Sequence, residues 1–381
     1  MKVLFAIPAL DKAGPDRVFF ELLRSLDRSR FSPVLVTSKP GGHYRARLPG
    51  DVEVHHLGDE VGVATRYPVL PLARLVRRLR PDVVLATLRM VVTAGLARPL
   101  FPAGTRLIAR PANHLSVNHA ELIRAAPLKH RASFALSRFA LRRADHVICQ
   151  SEDLAADLAR LGIELPMTVI GNPIDVAEVD RLAAEPVTLP GAPALLAVGR
   201  LSAQKGFDLL LPAFARLVSG VPGARLTIAG TGPDEPALRR QAADLGIADR
   251  VSFPGFVANP YPLMRAADLY VLSSRYEGFP NVALEALACG TPVVATRCSG
   301  VDALVVPGVN GWLVPVGDVE RLAEALAAAV RMPLAPEAIR DSIRTRFDTP
   351  RITRRYEEIF TAVASAPPAR RARRSATRSR G

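Results

Sequence analysis

The chain has 381 residues, 49% of them hydrophobic, with three cysteines and a net charge of +14. That length exceeds one ordinary domain and fits two of about 150–200 residues, each able to bury its own core. No apolar run approaches the ~18 residues of a membrane span, and Cys149, Cys289 and Cys298 have neither metal-ligand spacing nor a disulfide framework. A transmembrane chain and a disulfide-stapled domain are thereby excluded; a soluble or peripheral protein in a reducing compartment is expected.

Short apolar runs alternate with helix-period segments from end to end, the pattern of parallel sheets wrapped in helices, so the fold class is α/β. The opening residues read as a buried strand over Lys2–Pro8 rather than a signal peptide, because Asp11 and Lys12 follow at once. Further strands are expected at Pro33–Ser38, Val52–His56, Asp82–Ala86, Arg106–Ala109, His146–Cys149 and Met167–Ile170. Helices are expected at Asp16–Leu26, Leu72–Leu79 and Glu121–Arg143, and Ser151 is placed to cap another running to about Leu161. From Val176 to Gly191 the pattern lapses into Ala, Glu and Pro and reads as a linker.

A second run of strands follows at Ala194–Val198, Leu226–Ala229, Val251–Phe253, Leu269–Leu272, Pro292–Ala295 and Trp312–Val314. Its helices are expected at Phe207–Val218, Glu235–Leu245, Asn281–Ala288 and Val319–Val330, then at Pro336–Arg346 and Arg351–Ala364. The chain divides into a domain over 1–185, a second over 186–348, a last helix within 349–365 and a tail over 366–381. Six arginines and no acid mark that tail as disordered. Other basic residues concentrate in the first half: Arg74, Arg77, Arg78 and Arg80, then Arg124, Lys129, Arg131, Arg138, Arg142 and Arg143. Such a surface favours phosphate-bearing partners (anionic lipid, acidic sugar or nucleic acid), although a solvated helix face explains each cluster equally well.

Three segments carry chemistry. Gly199-Arg200-Leu201 to Lys205-Gly206 follows a strand and opens a helix, so two cations and free amide donors meet at a turn suited to a diphosphate. Two exposed loop cations are the bland reading. Gly230-Thr231-Gly232-Pro233 repeats the strand-to-turn design, although a simple tight turn explains it too. Glu277 to Glu285 is the strongest signal: Asn281 is a natural N-cap, which puts Glu285 inside a helix and Glu277 on the loop before it. The two carboxylates are placed to accept sugar and ribose hydroxyls, against the alternative that one offsets the helix dipole and the other is solvated.

Together these segments resemble family 4 of the retaining glycosyltransferases, which has two Rossmann-like domains facing across a cleft, the GT-B fold. The Glu-x7-Glu element is Glu277 to Glu285, and the Gly-Arg-Leu…Lys-Gly element is Gly199 to Gly206. Lesser matches are Gly230 to Pro233, Val251 to Phe256, Cys289 to Val294, Gly308 to Gly311, Ser151, and Asn172 to Asp175.

The resemblance implies that Arg200 and Lys205 hold the donor diphosphate, that Glu285 binds ribose, and that Glu277 faces the donor sugar beside Phe279, Pro280 and Asn281. The implied donor site also includes Gly14, Gly199, Gly230, Gly232 and Gly278, and His114 joins Glu277, Arg200 and Lys205 as a catalytic candidate, ahead of His119 and His130. The family's first turn departs here to Ala13-Gly14-Pro15-Asp16, and a glutamate often found before the Asn-Gly turn is Ala303, beside Asp302.

No Asp-x-Asp is present, so a metal-free site is expected, with no cofactor beyond the sugar-nucleotide substrate. The implied donor is a UDP-, GDP- or ADP-sugar. The implied acceptor is a glycan or lipid-linked glycan at the cytoplasmic face of a membrane. The last helix is expected to cross back to the first domain, with a hinge near Pro186. A sugar-nucleotide epimerase or a phosphorylase on the same fold is the alternative enzyme. A basic nucleic-acid-binding protein is the alternative class, disfavoured by the few aromatics available for stacking.

Overall fold

The computed structural model describes residues 1–11, 14–58, 67–116 and 127–367. The first-half strands are β1 (Lys2–Ile7), β2 (Ser32–Thr37), β3 (Glu53–His56), β4 (Val83–Thr87), β5 (Arg106–Arg110), β6 (His146–Cys149) and β7 (Met167–Val169). They pair in parallel in the order β3-β2-β1-β4-β5-β6-β7. The second sheet contains β8 (Ala194–Val198), β9 (Arg225–Ala229), β10 (Val251–Gly255), β11 (Leu269–Leu272), β12 (Val293–Thr296) and β13 (Gly311–Val314). Its order is β10-β9-β8-β11-β12-β13, also parallel. Val3 to Ile7 are wholly buried because helices cover both faces, which is why these strands read as continuous apolar runs. In each sheet the strand order reverses beside the first strand, and a crevice opens there at the carboxyl ends.

The helices are α1 (Gly14–Ser25), α2 (Val69–Leu79), α3 (Met90–Ala97), α4 (Pro127–Leu141), α5 (Glu152–Arg160), α6 (Val176–Leu182) and α7 (Phe207–Gly220). They continue with α8 (Glu235–Asp244), α9 (Tyr261–Ala266), α10 (Asn281–Ala288), α11 (Val319–Arg331), α12 (Pro336–Phe347) and α13 (Thr349–Ser365). Ser151 caps α5 as its sequence position requires, accepting from the Leu154 amide at 3.3 Å.

Three helices escape periodicity. α3 is apolar all round because it packs between α2 and α4 against the sheet. α9 has six residues, too few to show a period. α6 stands where a linker is expected: the Asp175 side chain accepts from the Glu178 amide at 2.9 Å, and Val179 is buried among second-domain residues such as Tyr261 and Leu284. Asn281 also differs from expectation. Pro280 occupies the cap position of α10, and the Asn281 side chain faces the other domain instead.

After α12 the chain returns to the first domain. Ile352, Tyr356 and Phe360 of α13 enter the core around Phe5 and Phe19, and Glu357 accepts from the Asp27 amide at 2.8 Å. The segment expected to be a disordered tail lies outside the described residues from 368 onward, as do Lys12, Ala13, His119, Arg124 and the side chains of Lys129 and His130.

All three cysteines are free and buried, and burial pushes each thiol up to about 12. The native protein should therefore leave Cys149, Cys289 and Cys298 unmodified by a disulfide reagent at pH 8, and all three should react once it is unfolded in guanidinium. Counting released chromophore in both states checks this. Stoichiometric reaction of the native protein contradicts it.

Candidate active site

Between the carboxyl ends of the two sheets lies a cavity of about 540 Å³ lined from both domains. The loop before α10 places Glu277 on its floor, 8% exposed. One oxygen of that carboxylate accepts from Lys205 Nζ at 2.7 Å and from Ser274 Oγ at 2.7 Å. Lys205 reaches this position because Gly199 leaves its stem room; a Cβ there would lie 3.1 Å from Lys205 Cε. Glu285, one turn into α10, forms an ion pair with Arg17 of α1, and Arg17 also donates to the Tyr261 hydroxyl. Burial pushes the Glu285 carboxyl above its ordinary range, opposed by Arg17 and then Lys205.

The domains meet closely here. A Cβ on Gly278 would lie 2.1 Å from the Ala112 carbonyl oxygen, and one on Gly14 would lie 2.2 Å from Asn281 Nδ2. Asn172 Nδ2 donates to Asn281 Oδ1 at 2.7 Å across the same seam. Phe279 lines the cavity and packs edge-on against Phe347, with ring centroids 6.0 Å apart.

The structure thus brings together Lys205, Glu277, Glu285, Gly14, Gly278, Phe279 and Asn281. Arg200 stands apart: its side chain is exposed and is not among the cavity-lining residues, because buried Leu201 anchors the loop between the two cations. Gly230 and Gly232 act one layer behind. A Cβ at either would run into the carbonyl oxygen of Gly199 or Leu201, so they let the second turn pack under the first. Pro280 starts α10.

His114 lies beside the cavity in an interdomain contact. Its Nε2 bonds the Ser299 hydroxyl, and Nδ1 faces Asp157 at 3.8 Å. Burial lowers its pKa from the ordinary 6.5, with Asp157 and Asp153 pulling the other way. The unfolded chain therefore takes up this proton before the folded one as pH falls. The contribution of the neutral ring to stability is complete above 6.5 and is lost progressively below it. His114→Gln should flatten the acid limb of Tm against pH relative to the parent; parallel curves contradict this.

The sequence assigns no role to Arg17, Tyr261, Arg110 or Gln150, all of which line the cleft. The one usable signal for Arg110 and Gln150 is position, at or directly after the carboxyl end of a strand.

Two doubly wound sheets with their carboxyl ends facing across a polar cleft define the GT-B architecture. Solved structures with this arrangement include HepE from Anabaena in complex with UDP, at 22% identity and TM-score 0.75, covering 95% of this chain and 100% of that one. Sucrose-phosphate synthase from Thermosynechococcus elongatus, at 20% identity, has TM-score 0.76 over 96% and 100% of the two chains. Residues 13–178 match the family model for Glycosyltransferase Family 4, and residues 192–331 match that for Glycosyl transferases group 1.

Among curated relatives, the lipopolysaccharide core biosynthesis glycosyltransferase LpsE of Rhizobium meliloti is 29% identical over 87% of this chain and 89% of its own length. The 2-deoxystreptamine N-acetyl-D-glucosaminyltransferase of Streptomyces fradiae is 34% identical over 68% of this chain and 65% of its own. The chain belongs to the family 4, group 1 glycosyltransferases.

Proposed function

We propose that this glycosyltransferase moves a sugar from a nucleoside diphosphate donor to a glycan or lipid-linked acceptor, with retention at the anomeric carbon and without a metal ion, in the synthesis of lipopolysaccharide or another surface polysaccharide. The observation that carries this is the convergence of Lys205, Glu277 and Glu285 on one cleft. The bond that breaks joins the anomeric carbon to a phosphate oxygen, so negative charge develops on the departing diphosphate. Lys205 is placed to stabilise that charge, and Glu277 and Ser274 hold the ammonium in place before the reaction. Glu285 offers an acceptor for ribose hydroxyls. UDP in HepE supports the donor class, and LpsE supports the acceptor class.

The test is release of nucleoside diphosphate from a panel of UDP-, GDP- and ADP-sugars in excess EDTA, with a lipopolysaccharide-core glycan added to take the sugar. One donor should be consumed. No release from any donor, or release abolished by EDTA, contradicts the proposal.

We also propose that the acceptor is met at an anionic membrane surface. No helix among the described residues is long and apolar enough to cross a membrane. Helices α2, α3 and α4 pack side by side and contain no acidic residue, while Arg74, Arg77 and Arg131 are exposed on them, as are Leu70 and Phe139, at 58% and 49%. A helical layer that exposes both cations and large apolar side chains suits a lipid headgroup layer. Co-sedimentation with phosphatidylglycerol vesicles but not with phosphatidylcholine vesicles is expected, and equal partitioning contradicts it.

A further inference from the structure

The cleft has a second polar locus, on the first domain and joined to the donor-side Asn281 through Asn172. Arg110 ends β5 and is 1% exposed, yet its guanidinium has only neutral partners: the Tyr356 hydroxyl at 2.9 Å from Nε, and the Asn172 side-chain oxygen. The cavity lining contains three cations, Arg17, Arg110 and Lys205, and two carboxylates, Glu277 and Glu285. Each carboxylate already has a cation, Arg17 for Glu285 and Lys205 for Glu277. Arg110 is left buried with no acid of the described residues within ion-pair distance. Burying such a charge is costly unless an anion meets it.

Gln150 supplies the independent observation. It follows β6, lines the same cavity, is 2% exposed, and neither its Nε2 nor its Oε1 has a hydrogen-bond partner. A buried amide with both ends open is an unmet donor and an unmet acceptor. Leu88, which follows β4 and lines the cavity as well, is held at φ 52, a left-handed conformation rare for a residue with a branched side chain. Adjacent strand ends therefore present a fixed cation, an unsatisfied amide and a strained turn to one space.

We propose that Arg110 and Gln150 form a subsite for a phosphate group carried by the acceptor, with Gln150 Nε2 donating to a phosphate oxygen beside the guanidinium fork and Oε1 accepting from a neighbouring sugar hydroxyl. This rests on reading the cleft as a glycosyl-transfer site. Phosphate could equally come from the donor diphosphate. Both residues lie on the first domain, opposite the Lys205 loop, which favours the acceptor, and the UDP titration below separates the two sources.

The experiment titrates the full chain, its Arg110→Gln variant and its Gln150→Leu variant with inorganic phosphate at constant ionic strength, with and without saturating UDP, and separately with UDP, GDP and ADP. The parent should bind phosphate whether or not UDP is present. Both variants should bind it at least about tenfold more weakly, with UDP affinity changed by less than about threefold. Phosphate affinity unchanged in either folded variant overturns the proposal. Equal loss of UDP and phosphate affinity also overturns it, because Arg110 then serves the donor. Gln150→Leu breaks no hydrogen bond of Tyr356 or Asn172, so it carries the test alone if Arg110→Gln does not fold. Failure of UDP, GDP and ADP to bind the parent, with phosphate binding still dependent on Arg110 and Gln150, refutes the transferase reading and leaves the anion subsite standing.

Discussion

Replacing Lys205 by Met should lower the turnover number by about 10²–10³-fold while leaving the fold intact. The ammonium is the one cation in the cleft held by Glu277, and the charge that it offsets is greatest as the diphosphate departs. An interaction stronger in the transition state than in the ground state shows in kcat more than in KM. Glu277→Gln should cost less, because the amide oxygen still accepts from Lys205 and Ser274 while the negative charge that holds the ammonium is gone. Steady-state transfer of a labelled sugar measures both. A Lys205→Met enzyme with the parent's kcat removes the residue from the chemistry.

Gly278→Ala should be the most damaging small substitution. The new Cβ would meet the Ala112 carbonyl oxygen, and backbone cannot swing aside as a side-chain tip can. The seam between the domains must widen, which moves Glu277 relative to anything bound on the first domain. A shift of about 1 Å at reacting groups costs on the order of 10²-fold in rate. A loss of that size is expected, with a small rise in the radius of gyration by scattering. Gly14→Ala should be milder, since its Cβ would meet the movable amide of Asn281. A fully active Gly278→Ala enzyme would show that the seam yields without consequence.

The sheets were legible because strands buried on both faces leave unbroken apolar runs between turn signals, as Val3 to Ile7 do. Helices that lacked two distinct faces were not: α3 is apolar all round, and α6 shows only Val179 turned inward. The carboxylates of the cleft could be found because one loop and one helix carry both, and Lys205 because it shares a turn with Gly206.

Arg17, Arg110 and Gln150 are single polar residues that no period or spacing connects. Only the crossing of α1 over the cleft and the order of β5 and β6 in the sheet bring them to the same cavity. Arg200 shows the converse. Its motif pairs it with Lys205, but burial of Leu201 between them points the two side chains into different surroundings.

A crystal structure of the full chain soaked with UDP, GDP or ADP, whichever the donor panel selects, examines the convergence directly. Density is expected in the interdomain cleft, with the diphosphate within hydrogen-bond reach of Lys205 Nζ and the ribose hydroxyls on Glu285. A nucleotide bound elsewhere on the molecule, with Lys205 and Glu285 untouched, contradicts the site assigned here.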